Sequence, residues 1–406
     1  MTGKTFLKFF IVIAVSVVLM AGLTGQVQAK EKEIVIGNIL HMTGAYAATQ
    51  AGIHEGCMDG VNYLNKRNYV PGAKLKAIWV DGGTDAAKSL TGLKKMLANK
   101  PKPVIIHAES TGIALALKKW YVKSKVPSIE GGNDDKFGEQ PSWTFSATIP
   151  YVNICGAWVD YYLKNLWKDK TRKPRFAWLT WDNPFGRASI KPKVKEYIES
   201  KGVEIVAEEF IPGVPVDTTA QLMRLKEKKV DFTFGAFYTN AFAVAVKDAD
   251  KLGMIDDITF GAIAFPVDAL PKYVGDLARN TWSPDFWVPE SMIEDRAPII
   301  FNAYKEGGYT KFNMAMYGTG FAMVSIAAEA IRIAAADVGT ENVDGPAVYD
   351  AIKKIKDFTA WGFVSPISFH GGRWFGRDTI TLVGYENKKT VFKGFISTPD
   401  LTAKFD

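Results

Sequence analysis

The sequence predicts an α/β protein of two Rossmann-like lobes, each built on a parallel sheet. Three observations carry this prediction. Apolar stretches of strand length alternate with helical periodicity from residue 33 to residue 148. The same alternation restarts near Tyr151 and runs to residue 263, without a close internal sequence repeat, so the duplication is one of architecture. The loops that follow the strands in both halves are short and rich in small polar or aromatic residues, as expected at the carboxyl edge of an open sheet, where ligands bind. A chain of 406 residues, 47% hydrophobic and 13% aromatic, is long for one core and has the composition of ordered structure.

The first segment reads as a signal peptide. Lys4 and Lys8 precede an apolar run from Phe9 to Leu23, and Val27 and Ala29 are the small residues of a cleavage site, which places the cut after Ala29. The run is short for a stable membrane span, and no cysteine follows it to carry a lipid. A later apolar stretch, residues 322–336, is interrupted by Ser325, Glu329 and Arg332. The net charge of +7 is scattered and forms no basic tract, which argues against nucleic acid. Cys57 and Cys155 fall in helical patterns of different halves and read as buried thiols, although an exported protein is free to form a disulfide.

Taken in order, residues 33–40 make a first strand, apolar enough to be covered on both faces. A helix over 49–66 places Ile53, Cys57, Val61 and Leu64 on one stripe. Residues 75–80 form the second strand, and the helix that opens near Asp85 turns Leu90, Leu93 and Leu97 inward. The half is organised around residues 103–133: a strand, the polar loop Ala108 to Gly112, a helix, a second strand, and the polar loop Glu130 to Asn133. This is a βαβ unit with a right-handed crossover. Ser110, Thr111 and the free N–H groups of the helix start suit a carboxylate, or they only cap the helix. Neither loop has a P-loop lysine or a GxGxxG pattern, so a nucleotide is not expected. Residues 143–148 are a further strand and a first crossing between lobes.

The second half repeats the pattern with strands at 175–180, 203–210, 230–235 and 258–263. Their ends carry Trp181 to Arg187, Ala236 to Asn240 and Ala264 to Pro266. Residues 281–288 form a second crossing, and long helices over 290–306 and 313–336 return to the first lobe, with a shorter one over 346–356. The end of the chain changes to β-meander, with strands at 367–370, 379–385 and 391–396 and turns at Gly371 to Trp374 and Glu386 to Lys389.

In this order, Ile34-Val-Ile-Gly, Thr43-Gly-Ala-Tyr46, Asp81, Asp85-Ala-Ala-Lys88, Ser110-Thr111, Val126-Pro127, Gly131, Asp182, Phe185-Gly-Arg187, Asp231-Phe and Tyr238 span nearly the whole exported chain. The ordered set resembles the periplasmic substrate-binding proteins of branched-chain amino acid ABC transporters, the leucine/isoleucine/valine-binding type. The resemblance implies the type I periplasmic binding protein fold, with two lobes joined by a three-strand hinge, and residues 30–148 plus 282–357 in one lobe and 149–281 plus 358–406 in the other. It implies capture of a small ligand by hinge closure, delivery to an ABC permease in the inner membrane, residence in the periplasm, a monomer, and no cofactor. Carried over residue by residue, Ser110, Thr111, Gly131, Gly132 and Asn133 would hold the polar end of the ligand. Tyr46, Phe185, Tyr238 and Phe265 would wall its apolar end, and Asp182 leads the loop that carries Phe185.

Two departures bear on the ligand. Amino acid binders of this type place an acid after the strand equivalent to 258–263, to pair with an α-ammonium. Here that stretch reads Gly261 to Pro266, and the first acid is Asp268. An unpaired buried ammonium is costly, so the small amphipathic ligand is expected to be amino acid-like or, without an α-amino group, an aromatic or short aliphatic carboxylate or an amide. Against this, Glu109 and Glu130 stand where small neutral residues are usual. They cap helices or face solvent, or they join Tyr46, Phe185, Phe237 and Tyr238 in a cage for a cation; the aromatics also read as core packing, Phe237 above all. His107 ends a central strand and reads either as a core histidine or as a cleft hydrogen-bonding group. The four histidines have no metal-ligand spacing and no GxSxG is present, so an enzyme is not expected. The alternative function on the same fold is an exported ligand sensor that signals to a partner receptor, with a secreted enzyme third.

Overall fold

The computed structural model describes residues 31–44, 46–263 and 269–404. The expected signal peptide, and the loop with Phe265 and Asp268, lie outside the described residues.

Among the described residues there are two sheets. The first has five strands in the order β2-β1-β3-β4-β5, with β1 Lys32–Leu40, β2 Ala73–Asp81, β3 Ile105–Ala108, β4 Ser128–Glu130 and β5 Thr144–Ser146. All its pairs are parallel. The second has seven strands in the order β12-β11-β10-β9-β8-β6-β7. Its parallel part is β6 Arg175–Trp181, β7 Glu204–Ile211, β8 Phe232–Ala236, β9 Thr259–Ile263 and β10 Thr281–Asp285. The antiparallel hairpin β11 Thr379–Glu386 and β12 Lys389–Ser397 extends that sheet at one edge. Read from β2 to β5 and from β7 to β10, the two sheets have the same doubly wound order. In each, the strand order reverses between the first and third strands, and that switch point is where such sheets bind ligands. This is the type I periplasmic binding protein fold that the sequence predicts.

Burial explains why these residues make these strands. β1 is covered over its last seven residues and β8 over all five, so alternation is replaced by continuous apolar runs. The expected stripe Ile53, Cys57, Val61 and Leu64 is buried on the helix Ala47–Lys66. That helix packs along Met314–Val338, and the two backbones approach through Gly56 and Gly320. A Cβ on Gly320 would sit 1.9 Å from the Ile53 carbonyl oxygen, so no larger residue fits the crossing. No helix of the described residues is long and apolar enough to cross a membrane.

Three segments cross between the sheets: after Ser146, after Asp285, and through the irregular stretch that leads to Thr379. Three expectations are corrected here. The crossing expected at 281–288 begins only after Asp285, because Thr281–Asp285 pairs with β9 and β11. The helix expected over 290–306 is broken into Glu290–Met292, Ile293–Arg296 and Pro298–Glu306. Pro298 has no N–H to continue the ladder and holds Ala297 away from helical geometry, at φ −130° and ψ 56°. Residues 367–370 are not a strand; Ile367 makes one isolated bridge to Phe358, between Pro366 and the left-handed Gly371 and Gly372. The last hairpin turn forms as read, with Asn387 and Lys388 both at positive φ between β11 and β12.

Candidate ligand-binding site

The switch-point loops of both sheets meet. Those after β1 and β3 bring Tyr46, Glu109 and Thr111; those after β6 and β8 bring Phe185 and Tyr238. With Gly131, Tyr151, Phe286 and Trp287 they line a cavity of about 30 Å³ between the sheets. A second cavity of about 30 Å³ adjoins it and shares Glu109, Gly131, Phe286 and Trp287. It continues toward the crossings, where Ala322, Met323, Ile326 and Phe363 form an apolar wall and Arg377 adds one charge. Each holds about one water-sized molecule, so the cleft is shut. The Tyr46 ring lies 5.2 Å from Tyr238 and 6.0 Å from Trp181, across the gap between lobes. Trp181 and Phe185 complete the aromatic wall, the former 5.3 Å from Tyr238 and the latter 5.2 Å from Tyr151. Outside the cavity, Lys191 Nζ reaches Asp134 Oδ2 at 3.3 Å from the other lobe.

Tyr46 is held from behind by His41, edge-on at 5.8 Å. His41 Nδ1 accepts from the Thr84 N–H, and burial pushes its pKa down to about 4, so the ring stays neutral. Burial likewise pushes the Tyr46 hydroxyl up to about 12, with the Ser110 hydroxyl acting the other way. Tyr46 therefore presents a neutral phenol at all ordinary pH.

Glu109 faces the cavity but is not a lone charge. His107 Nε2 lies 2.6 Å from Glu109 Oε1, and His107 Nδ1 lies 3.2 Å from Asn38 Oδ1. Asn38 Nδ2 donates to the Ile78 carbonyl, which leaves its oxygen toward the histidine. Nδ1 thus faces Asn38 and Nε2 faces Glu109, so the carboxyl that Glu109 offers the cavity is already engaged by a histidine.

The Glu109 carboxyl lies against Gly131: a Cβ there would fall 2.3 Å from Oε2 and push the carboxyl aside. Gly132 has the same relation to Thr111, whose backbone nitrogen would be 2.5 Å away. Thr111 Oγ1 accepts from the Asn133 N–H at 3.3 Å, and Asn133 Nδ2 donates to Ser146 Oγ at 2.9 Å. These bonds tie the loop after β4 to the helix Thr111–Ser124 and to β5.

Of the residues singled out in the sequence, the structure brings Tyr46, Glu109, Thr111, Gly131, Phe185 and Tyr238 to the cavity. Ser110, Gly132 and Asn133 lie behind that wall, buried in the loops that shape it. Asp182 is turned outward; its carboxylate is 57% exposed and pairs with Arg187. Glu130 neither caps a helix nor joins a cage. It is buried beside the hydroxyls of Tyr121 and Ser128. Burial pushes its pKa up to about 8, opposed by the two nearby hydroxyls. Phe237 is core, stacked on Phe242 at 5.1 Å.

Sequence reading missed Tyr151, Phe286, Trp287 and Arg377. The aromatic pair at the end of β10 is a strand-end signal of the same kind as Phe185. Arg377 has no such signal, because it lies in irregular chain and reaches the cavity only through the third crossing. Among the described residues no group of three or more His, Cys, Asp or Glu is placed to hold a metal ion.

The family model for periplasmic binding proteins matches residues 33–383, and the chain belongs to that family. The leucine-, isoleucine-, valine-, threonine- and alanine-binding protein of Pseudomonas aeruginosa is 21% identical over 199 residues. That match covers 49% of this chain and spans about half, 52%, of the relative. A branched-chain amino acid ABC transporter protein from Thermus thermophilus with bound valine superposes with a TM-score of 0.80 at 19% identity, covering 91% of this chain and 97% of that one. A fatty acid ABC transporter substrate-binding protein from Thermomonospora curvata superposes with a TM-score of 0.77 at 18% identity, covering 91% and 94%. At these identities the likeness establishes the fold, and the fold is shared by binders of different ligands.

Proposed function

We propose that this chain is the exported solute-binding component of an ABC importer. It captures a small amphipathic ligand between its lobes and hands it to a permease complex in the inner membrane. The observation that carries the reading is the convergence of the four switch-point loops, two from each sheet, on one cavity. A ligand that touches Tyr46 and Glu109 on one side and Phe185 and Tyr238 on the other favours the closed form over the open one by its contacts with both. Membership of the periplasmic binding protein family supports the transport role, the periplasmic location after removal of residues 1–29, and capture without bond making or breaking.

The lobes we propose are residues 30–148 with 286–357, and 149–285 with 358–406, which takes the second crossing after Asp285. The protein acts as a monomer, because the cavity is complete within one chain. The ligand is an aromatic or aliphatic carboxylate, an amide, or an amino acid. The contact between Glu109 and His107 supports this range over a cation, since the carboxyl already has a partner within the protein.

The test is a thermal-shift panel of amino acids, carboxylates, amides and quaternary amines on ligand-free mature protein. A true ligand at about a thousand times its Kd adds roughly 4 kcal/mol and raises Tm by several degrees. A shift only with quaternary amines contradicts the proposed ligand class, and no shift with any compound contradicts small-molecule capture of these classes. A ligand that binds but is not taken up by cells carrying the permease favours the sensor reading.

A further inference from the structure

We propose that the inner cavity is an anion subsite in which Arg377 and Trp287 hold the carboxylate of the ligand. The inference rests on the reading of the cleft as a solute site and adds to it the end at which the charge sits. Arg377 is 2% exposed, and its Nε donates to Ser365 Oγ at 2.9 Å. Its Nη2 is buried and has no hydrogen-bond partner among the described residues. Trp287 Nε1 is likewise buried without a partner. Both side chains line the same cavity. Two buried N–H donors without acceptors, in one small space, are complementary to an oxygen acceptor that bears negative charge.

The acids that act on Arg377 are Asp285 and Asp378. Asp285 is already occupied, accepting from Ser283 Oγ at 2.9 Å and from the Phe286 N–H at 2.8 Å. A guanidinium kept out of water with an open N–H is a costly arrangement, and burial lowers its hold on the proton. A carboxylate in the cavity removes both costs. Ala322, Met323, Ile326 and Phe363 fit the body of an apolar acid, and the one carboxyl in the lining, Glu109, is already engaged by His107 at 2.6 Å.

The polarity is therefore the reverse of that read from the Ser110–Thr111 loop. There the Thr111 hydroxyl, which accepts from the Asn133 N–H, shares its cavity with the Glu109 carboxyl, an acid that opposes a ligand anion. The ligand places its anion toward Arg377, its apolar body against Tyr46, Phe185 and Tyr238, and any hydrogen-bond donor at Glu109.

The experiment is calorimetric titration of the mature protein with 4-methylpentanoate, phenylacetate and 3-phenylpropanoate, each beside its primary amide. The expected result is binding of at least one acid, at least tenfold tighter than its amide. Arg377→Gln is expected to weaken the acid at least tenfold and leave the amide within threefold, with Trp287→Phe a smaller change in the same direction. Equal binding of acid and amide by the wild type overturns the proposal, and so does failure to bind any acid of the series. An acid preference retained in Arg377→Gln overturns it too; if Tyr238→Ala then abolishes binding, the cleft reading stands and only the anion subsite falls. Should Arg377→Gln not fold, the wild-type comparison and Trp287→Phe decide the matter.

Discussion

The two lobes use one strand order to build two different kinds of surface. At the switch point of the first sheet the loops bring hydrogen-bonding groups: the Glu109–His107 pair, Thr111 and the phenol of Tyr46. At the switch point of the second they bring rings: Trp181, Phe185 and Tyr238. The topology fixes where the loops meet, and the loop residues fix what each sheet presents to the cavity. Both surfaces line the one cavity, so on the proposed reading recognition and closure are one event.

The predictions that break or sharpen this comparison are ordered by expected effect. Tyr238→Ala removes the ring that meets Tyr46 and is expected to cost about 2–4 kcal/mol of binding, roughly 30- to 1000-fold in Kd by calorimetry. An unchanged Kd would remove the second lobe from the site. Glu130→Gln acts on stability instead. The folded pKa of Glu130 is raised to about 8 from 4.5, so the folded protein binds more protons than the unfolded chain between those values. Stability from this group is therefore greatest below pH about 4.5 and falls as pH rises to about 8, by up to about 1.4 kcal/mol per pH unit. Urea unfolding of Glu130→Gln across that range is expected to lose this slope; an unaltered slope contradicts the raised pKa of the buried acid.

Thr111→Ala removes the acceptor for the Asn133 N–H. It is expected to weaken binding by about 1 kcal/mol through a looser loop after β4, with little change in Tm. Lys191→Ala breaks the pair with Asp134 that spans the lobes outside the cavity. It is expected to shift the ligand-free molecule toward the open form by no more than about 1 kcal/mol, read as a larger radius of gyration by small-angle scattering. Asp182→Ala is the control. It lies on the same loop as Phe185 but faces outward, and its Kd is expected to match the wild type.

Much of this was legible in the sequence because the signals are local. Strand-length apolar runs and the stripe Ile53, Cys57, Val61 and Leu64 report burial directly, and the loops that follow the strands are the ones that reach the cavity. The residues behind and beside those loops were harder to read. Asp182 and Phe185 are three positions apart on one turn, and only the structure shows that one points out and the other in. Glu130 ends β4 in register with Ala108, and Glu109 is one residue further along the neighbouring strand's path, so the pleat sends one to the helix Thr111–Ser124 and the other to the cleft. Arg377 was illegible for a different reason. Its place depends on a crossing segment without regular structure, folded back against Ser365 and the strand-end aromatics. The break at Pro298 was the one element error that the sequence itself contradicted, since a proline inside a helical pattern marks a boundary.

The most direct measurement of the central claim is a pair of calorimetric titrations, with the ligand found in the thermal-shift panel, on Tyr46→Ala and Tyr238→Ala. These rings face one another across the shut cleft and belong to different lobes. A loss of at least tenfold in affinity for both is the predicted result. Full affinity in either variant would mean that a single lobe holds the ligand, and would contradict capture by closure.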